Sequence, residues 1–153
     1  VWKSVVENFL AQLGDRYSGI LGSIGASGTV RLVEARDIEK AGLELLVSFK
    51  GGKPTPLDGL TQSGGERSVA LMAFLLALQQ HIKSPFRAID EFDVHLDPRN
   101  REMVSDLIVS SFKEARDEQY VAITPGQIEA VRDNVHVIVV QNVSGLSEIS
   151  EVK

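Results

Sequence analysis

The sequence predicts an α/β fold in one lobe, a mixed sheet with helices packed on it, and three observations carry that expectation. From Gly64 onward, helix-like and strand-like segments alternate, as they do where helices cover a sheet. Before Gly64, two strand-like runs lie close together between glycine-rich turns, a more antiparallel pattern. The 153 residues are about one domain's worth, and a chain of that size buries roughly two-thirds of its unfolded surface.

Taken in order, Val1 to Leu21 reads as an amphipathic helix. Val5, Val6, Phe9, Leu10, Leu13, Tyr17, Ile20 and Leu21 recur at helical spacing, and Trp2 leads onto the same face. Val1 opens inside this pattern with no initiator Met and no leader-like segment, which reads as a piece cut from a longer chain. Three glycines between Gly22 and Gly28 break the helix. Thr29 to Glu34 sets Val30 and Leu32 on one face and Arg31 on the other, and Leu43 to Lys50 is a second strand-like run. Gly51 to Pro56 reads as a loop whose two prolines stop any element from passing through it. Ser63 then stands at a helix N-cap, with Glu66 completing capping-box spacing. Val69 to Leu78 is apolar nearly all round, which predicts a helix buried on every side. Pro85 closes the following loop, Phe86 to Asp90 reads as a short buried strand, and Pro98 suits the first turn of a helix over Arg99 to Arg116. Tyr120 to Ile123 is a strand halted at Pro125, Gln127 to Asp133 a short helix, Val135 to Val140 a strand, and Leu146 to Val152 a last short strand. The lobe thus divides into a leading helix over 1–21, a strand region over 22–60 and an alternating region over 61–153.

Composition narrows the function classes. With no Cys, disulfide scaffolds, thiolate metal sites and cysteine nucleophiles are excluded, and an intracellular setting is expected. A net charge of −5 gives no electrostatic footprint for wrapping nucleic acid. Arg31, Arg36, Lys40, Lys50 and Lys53 are scattered, as on a solvated face. His81, His95 and His136 are scattered too and make a poor metal set without Cys. No stretch reaches the ~18 to 20 unbroken apolar residues of a membrane span.

Three clusters carry candidate chemistry. Thr61-Gln62-Ser63-Gly64-Gly65-Glu66-Arg67 precedes the apolar helix. Its two glycines admit a ligand close to backbone, the helix N-terminus offers free N–H groups and a positive dipole end, and Ser63 adds a hydroxyl. Such a corner suits a terminal phosphate; taken alone, it also reads as an ordinary N-cap with a glycine-rich turn. In the second cluster, Phe86 to Glu91, a strand ends in two adjacent carboxylates. Asp90 is placed to hold Mg²⁺ and Glu91 to orient and deprotonate an attacking water, although acidic turns at strand ends are common. Asp97, six residues after Glu91, closes the run Asp90-Glu91-Phe92-Asp93-Val94-His95-Leu96-Asp97, which is harder to obtain as loop chemistry. The third cluster, Gln119 to Pro125, is weak alone. No Gly-x-x-x-x-Gly-Lys-[Ser/Thr] loop occurs anywhere, so a Mg²⁺ carboxylate stands here without a phosphate cradle. The other half of such a site has to come from another segment or chain.

Ser63-Gly64-Gly65-Glu66 resembles the signature motif of ABC-type ATPases, and Ile89-Asp90-Glu91 resembles their Walker B end. The Asp90–Asp97 run resembles the D-E-x-D-x-x-L-D run of SMC (structural maintenance of chromosomes) proteins, and the likeness covers nearly the whole chain. Gln62 to Arg67, Pro85 to Arg87 and Ile123 to Pro125 look most like the SMC branch outside cohesin and condensin. The resemblance implies the C-terminal lobe of an SMC head, an ABC-type half-domain with residues 1–21 as the coiled-coil exit helix. It implies ATP and Mg²⁺ as cofactors, with Gln62, Ser63, Gly64, Gly65 and Glu66 as the signature that meets ATP bound on a partner head. By the same resemblance Asp90 serves Mg²⁺, Glu91 is the general base, Asp97 is the D-loop residue, and Thr124 and Pro125 form the switch region, where transporters and zinc-hook relatives carry a His.

The partners implied are an N-terminal lobe carrying the P-loop, a second SMC head of the same or a paralogous chain, a kleisin-type subunit, and DNA through the complete complex, with no membrane. Hydrolysis by the complete head is expected to drive chromosome organisation, DNA entrapment or repair at the chromosome, in the nucleoid or the nucleus. The isolated lobe is expected to be inactive. Two alternatives stand beside this reading: the head of a zinc-hook-type or other recombination ATPase, and a docking lobe with no catalysis of its own. Against the first, zinc-hook relatives read Pro-Thr where Phe92-Asp93 stands here.

Overall fold

The computed structural model describes residues 2–94, 96–112, 118–126 and 135–152. The leading helix α1 (Trp2–Ser23) runs two residues past the expected break, because Gly22 and Ser23 still close the last turn before Gly25 turns at φ 73°. Its buried residues are Leu10, Leu13, Gly14, Tyr17, Ile20 and Leu21, while Val5 and Phe9 stay exposed. In the first third of the helix only Val6 packs against the core, half-buried.

Three strands follow, in the order β1 (Ser27–Val33), β2 (Gly42–Ser48) and β3 (Thr55–Pro56), as one antiparallel sheet. β1 and β2 pair from Ser27↔Ser48 to Val33↔Gly42, with an Arg31–Glu44 ion pair across the outer face. Val30 and Val47 turn inward against α1. The expectation that the prolines bar any element here is corrected. Thr55 and Pro56 pair with Val47 and Leu46 at the sheet edge, where the donor is Leu57 N–H to Leu45 C=O at 2.8 Å and no proline N–H is needed.

The expected capping box forms at α2 (Gly64–Gln79): Ser63 Oγ accepts from Glu66 N–H at 3.2 Å and Glu66 accepts from Ser63 N–H at 2.8 Å. Burial of this helix differs from expectation. Val69, Ala70, Ala73, Leu76 and Ala77 are buried against α1 and its neighbours, but Leu71 and Leu75 are each 48% exposed. Apolar periodicity reports what a face prefers, not whether this chain covers it.

β4 (Phe86–Asp90) and β5 (Gln119–Ile123) pair in parallel from Phe86↔Gln119 to Asp90↔Ile123, joined through α3 (Pro98–Ser111). β4 is not the buried strand expected, since only Arg87 is fully inside it. The pair forms a sheet of its own, with no further strand of this chain on either edge among the described residues, so Phe86 and Ile123 remain open. The Arg87 guanidinium closes the far end: it donates to Gln79 C=O at the carboxyl end of α2, pairs with Glu118, and lies 5.4 Å over the Phe112 ring, which stacks on Tyr120. α3 buries Val104, Leu107 and Ile108 and ends at Ser111, short of the expected Arg116. Residues 113–117 and the expected helix over Gln127 to Asp133 lie outside the described residues.

The chain ends in a hairpin, β6 (Val137–Val143) and β7 (Leu146–Val152), turned by Ser144 at φ 54° and Gly145 at φ 87°. β7 matches its expected span, whereas β6 starts two residues later than expected. Among the described residues, the strands of the expected mixed sheet form three sheets, two antiparallel and one parallel.

One glycine is fixed by close approach. A Cβ at Gly28 would lie 2.5 Å from the Leu46 carbonyl oxygen and 2.9 Å from the Tyr17 ring. Gly28→Ala should therefore cost about 1–3 kcal/mol of stability by overpacking, read as an earlier urea midpoint with an unchanged slope; an unchanged midpoint would contradict the α1–β1 packing.

Two carboxylates, exposed Asp97 and half-buried Asp58, hold turns and titrate below their ordinary range. Asp97 caps α3 by accepting from Asn100, side chain and backbone, and Asp58 accepts backbone N–H bonds from Thr61 and Leu60. Because each binds its proton less readily folded than unfolded, the stability it contributes is present at neutral pH and is lost as pH falls through its lowered value. Asp97→Asn keeps a good N-cap without a titrating group. The variant should lose less melting temperature than the parent between pH 5 and pH 2.5, and identical acid limbs would show that Asp97 contributes nothing to them.

Candidate functional site

The signature-like turn is built by side chains that precede it. Asp58 Oδ1 gathers the Leu60 and Thr61 N–H groups, each at 2.8 Å, and the Thr61 hydroxyl at 2.9 Å. Gln62 is turned inward: its Oε1 accepts from Asp58 N–H at 3.0 Å and its Nε2 donates to Thr55 Oγ1 at 3.1 Å. Gln62 is thus buried in the wall of the turn, and the Glu66 carboxylate is engaged in the cap. Ser63 and Gly64 are exposed at the start of α2. Since Ser63 Oγ accepts from the helix, its own hydroxyl proton stays available for an outside acceptor. The first N–H groups of the helix have no intrahelical partner and add their positive dipole end.

This turn abuts the start of α3. A Cβ on Gly65 would collide with the Asn100 side chain and lie 3.1 Å from Asp97 Oδ2. Two helix N-termini therefore meet, with Asp97, exposed, capping one of them.

The carboxylate pair stands at the carboxyl end of the parallel sheet. Asp90 ends β4, and Glu91 prolongs the ladder by one bond, its N–H donating to Ile123 C=O at 3.0 Å. The backbone then turns left-handed, with Glu91 at φ 51°, an uncommon conformation for a residue with a Cβ. Both carboxylates are exposed. Among the described residues no group of three or more His, Cys, Asp or Glu gathers to hold a metal. No hydrogen bond or ion pair among the described residues joins Ser63 to Asp90 or Glu91.

Beyond Glu91 stands a residue the sequence reading passed over. Asp93 is 2% exposed, accepts the Thr124 hydroxyl at 2.6 Å and lies 3.2 Å from Arg101 Nε. Thr124 Oγ1 in turn accepts from Gly126 N–H at 2.8 Å. Thr124 and Pro125 therefore follow β5 beside the Asp90–Asp97 loop. His95 lies outside the described residues. Among the described residues, no helix is long and apolar enough to cross a membrane.

With this geometry in hand, comparison with known proteins gives one answer. Residues 20–149 match the family model described as RecF/RecN/SMC N terminal domain. Structural maintenance of chromosomes protein 5 of Caenorhabditis elegans is 36% identical over 151 residues, 92% of this chain and 14% of its own length. The protein of the same name in Schizosaccharomyces pombe is 38% identical over 125 residues, 81% of this chain and 12% of its own length. The chain therefore spans about an eighth of these relatives. Among solved structures, an SmcHead bound to the C-winged helix domain of ScpA aligns with TM-score 0.71 and 28% identity, over 98% of this chain and 45% of that one. A chain from a study of ATP-driven dimerization and DNA stimulated activation of SMC ATPases aligns with the same score and identity, over 99% of this chain and 89% of that one. The chain belongs to the RecF/RecN/SMC N terminal domain family and has the mixed α/β fold of SMC heads.

Proposed function

We propose that this chain is the C-terminal lobe of an SMC ATPase head, residues 1–153 forming one unit with residues 1–21 as the exit to a coiled coil. One observation carries the reading. A single lobe holds an exposed Ser63-Gly64-Gly65 helix N-terminus and an exposed Asp90–Glu91 pair at a parallel strand end, yet its sequence has no phosphate-cradling loop. Each feature is half of a nucleotide site. A second lobe supplies the P-loop that Asp90 and Glu91 serve, and a second head supplies the ATP that Ser63 meets.

The residues present fit ATP and Mg²⁺ in these roles. Ser63 has a free hydroxyl proton, Gly64 is open to solvent, and Asp90 offers a hard oxygen ligand. ATP supplies the phosphoryl group, and Mg²⁺ when bound screens the charge on its oxygens. Ser63, Gly64 and Gly65 hold the terminal phosphate of a partner head, Asp90 holds the metal of its own head, and Glu91 takes the proton of the attacking water. Gln62 and Glu66 act from behind, as wall and cap. Asp97 reaches the dimer interface from its cap position, and Thr124 and Pro125 form the switch segment.

The exposed apolar residues Leu71, Leu75, Phe86 and Ile123 support docking of the P-loop lobe on α2 and the parallel pair. The complete head pairs with a second SMC head and a kleisin-type subunit, and acts on DNA at the chromosome, in the nucleoid or the nucleus. Relatives named structural maintenance of chromosomes protein 5 support the SMC part of this reading.

The test uses heads assembled from this chain and its P-loop lobe. Glu91→Gln should cut hydrolysis about a hundredfold or more, as loss of a general base does, while ATP-dependent pairing of heads on a sizing column persists. Unchanged turnover would remove Glu91 from that role. Ser63→Arg should abolish pairing of ATP-loaded heads with the lobe still folded by circular dichroism; paired heads in that variant would show the signature assignment to be wrong.

A further inference from the structure

Thr124 has one proton to give, and it is already given. Its hydroxyl donates to Asp93 Oδ2 at 2.6 Å and accepts from Gly126 N–H at 2.8 Å, so in this arrangement it has no proton left for a phosphate oxygen. Asp93 is 2% exposed, and the same Oδ2 lies 3.2 Å from Arg101 Nε on α3. Its other oxygen, Oδ1, has no hydrogen-bond partner among the described residues. A buried carboxylate is costly unless charge and hydrogen bonds compensate it, so Asp93 depends on Arg101 and Thr124 together. Gly126 completes the fit, because a Cβ there would lie 2.6 Å from Asp93 Oδ2.

These contacts bridge two loops. Asp93 sits between Glu91 and Asp97, and Thr124 follows the β5 residue whose carbonyl already receives the Glu91 N–H at 3.0 Å. Within the first loop, Val94 N–H donates to Glu91 C=O at 3.3 Å and Leu96 N–H to Asp93 C=O at 3.1 Å. A shift of Thr124 is thereby felt at Asp93, and through its backbone on both sides of it.

We propose that Asp93, Thr124 and Arg101 form a positioning lock that fixes the Glu91–Asp97 loop to the switch segment, and that Thr124 acts through Asp93 rather than on the nucleotide. The role in turnover rests on the ATPase reading above; the lock itself does not. In this arrangement the switch segment sets the aim of the Glu91 carboxylate, a contribution to kcat rather than to ATP binding.

The test has two arms. In assembled heads with Mg-ATP, Thr124→Val should lower kcat about tenfold or more while KM for ATP stays within about twofold, and Thr124→Ser should restore most of the rate. A Thr124→Val head with raised KM and unchanged kcat would mean that Thr124 binds the nucleotide directly, and the proposal would fail. Asp93→Ala combined with Thr124→Val should be little worse than either single variant, whereas fully additive losses would also overturn the lock. In this chain by itself, hydrogen exchange reads the contacts without any turnover. Thr124→Val should speed exchange at the Gly126, Val94 and Leu96 amides together, and Thr124→Ser should leave them protected. Faster exchange at Gly126 alone would show that the two loops are not joined. Assembled parent heads that do not hydrolyse ATP would refute the ATPase reading, and exchange would then decide the lock by itself.

Discussion

The parallel ladder from Phe86↔Gln119 to Asp90↔Ile123 governs where the chemistry of this chain stands. Parallel strands need a crossover, and α3 provides it, starting at Pro98 behind the Asp97 cap. Everything assigned to catalysis lies at that one edge. Asp90 is the last paired residue, Glu91 adds one more bond before the backbone reverses at positive φ, and Thr124 emerges from the neighbouring strand at the same level. Ligands of open α/β sheets characteristically sit beyond the carboxyl ends of the strands, and two adjacent strands suffice to define such an edge.

The same ladder explains why the site is partial. A two-stranded parallel sheet has two open edges and little covering, and here Phe86 and Ile123 are exposed, as are Leu71 and Leu75 of α2. Apolar area left uncovered by one lobe is area available to another, at roughly 25 cal/mol for each Å² buried. On the proposed reading, the lobe that covers these residues also brings a phosphate cradle to Asp90 and Glu91. The opposite half-site, at Ser63 and Gly64, is open for a different reason. It is a helix end whose side chains are all turned to building the turn, leaving backbone N–H groups and one hydroxyl proton facing out.

Local features were legible in the sequence because their physics is local. The Ser63–Glu66 capping box spans three residues and formed as read, β7 ran over Leu146–Val152 as read, and the family was legible from the Asp90–Asp97 run and the Ser63–Glu66 turn. Features that depend on distant partners were not. The Asp93–Thr124 bond spans 31 residues, and an Asp in an acidic run carries no mark that it will be the buried member. Gln62 stands in the signature-like stretch, yet its amide faces Thr55 and Asp58, because burial is decided by the strand that happens to run behind it. The proline-bearing segment pairs as β3 at a sheet edge, where proline is tolerated, and Leu57 N–H continues the pairing onto Leu45 C=O. Leu71 and Leu75 face outward although the Val69–Leu78 run is apolar nearly all round, because apolar character does not name what covers it.

A composite site makes hydrolysis depend on protein concentration, and that dependence is its most direct test. This chain is mixed with the lobe that carries the P-loop, and the rate per head is followed as both are diluted. The account predicts no hydrolysis by either lobe alone and a rate per head that climbs with concentration as heads pair. A rate that is flat with concentration, or hydrolysis by this chain by itself, would contradict it and point to a site complete within one head.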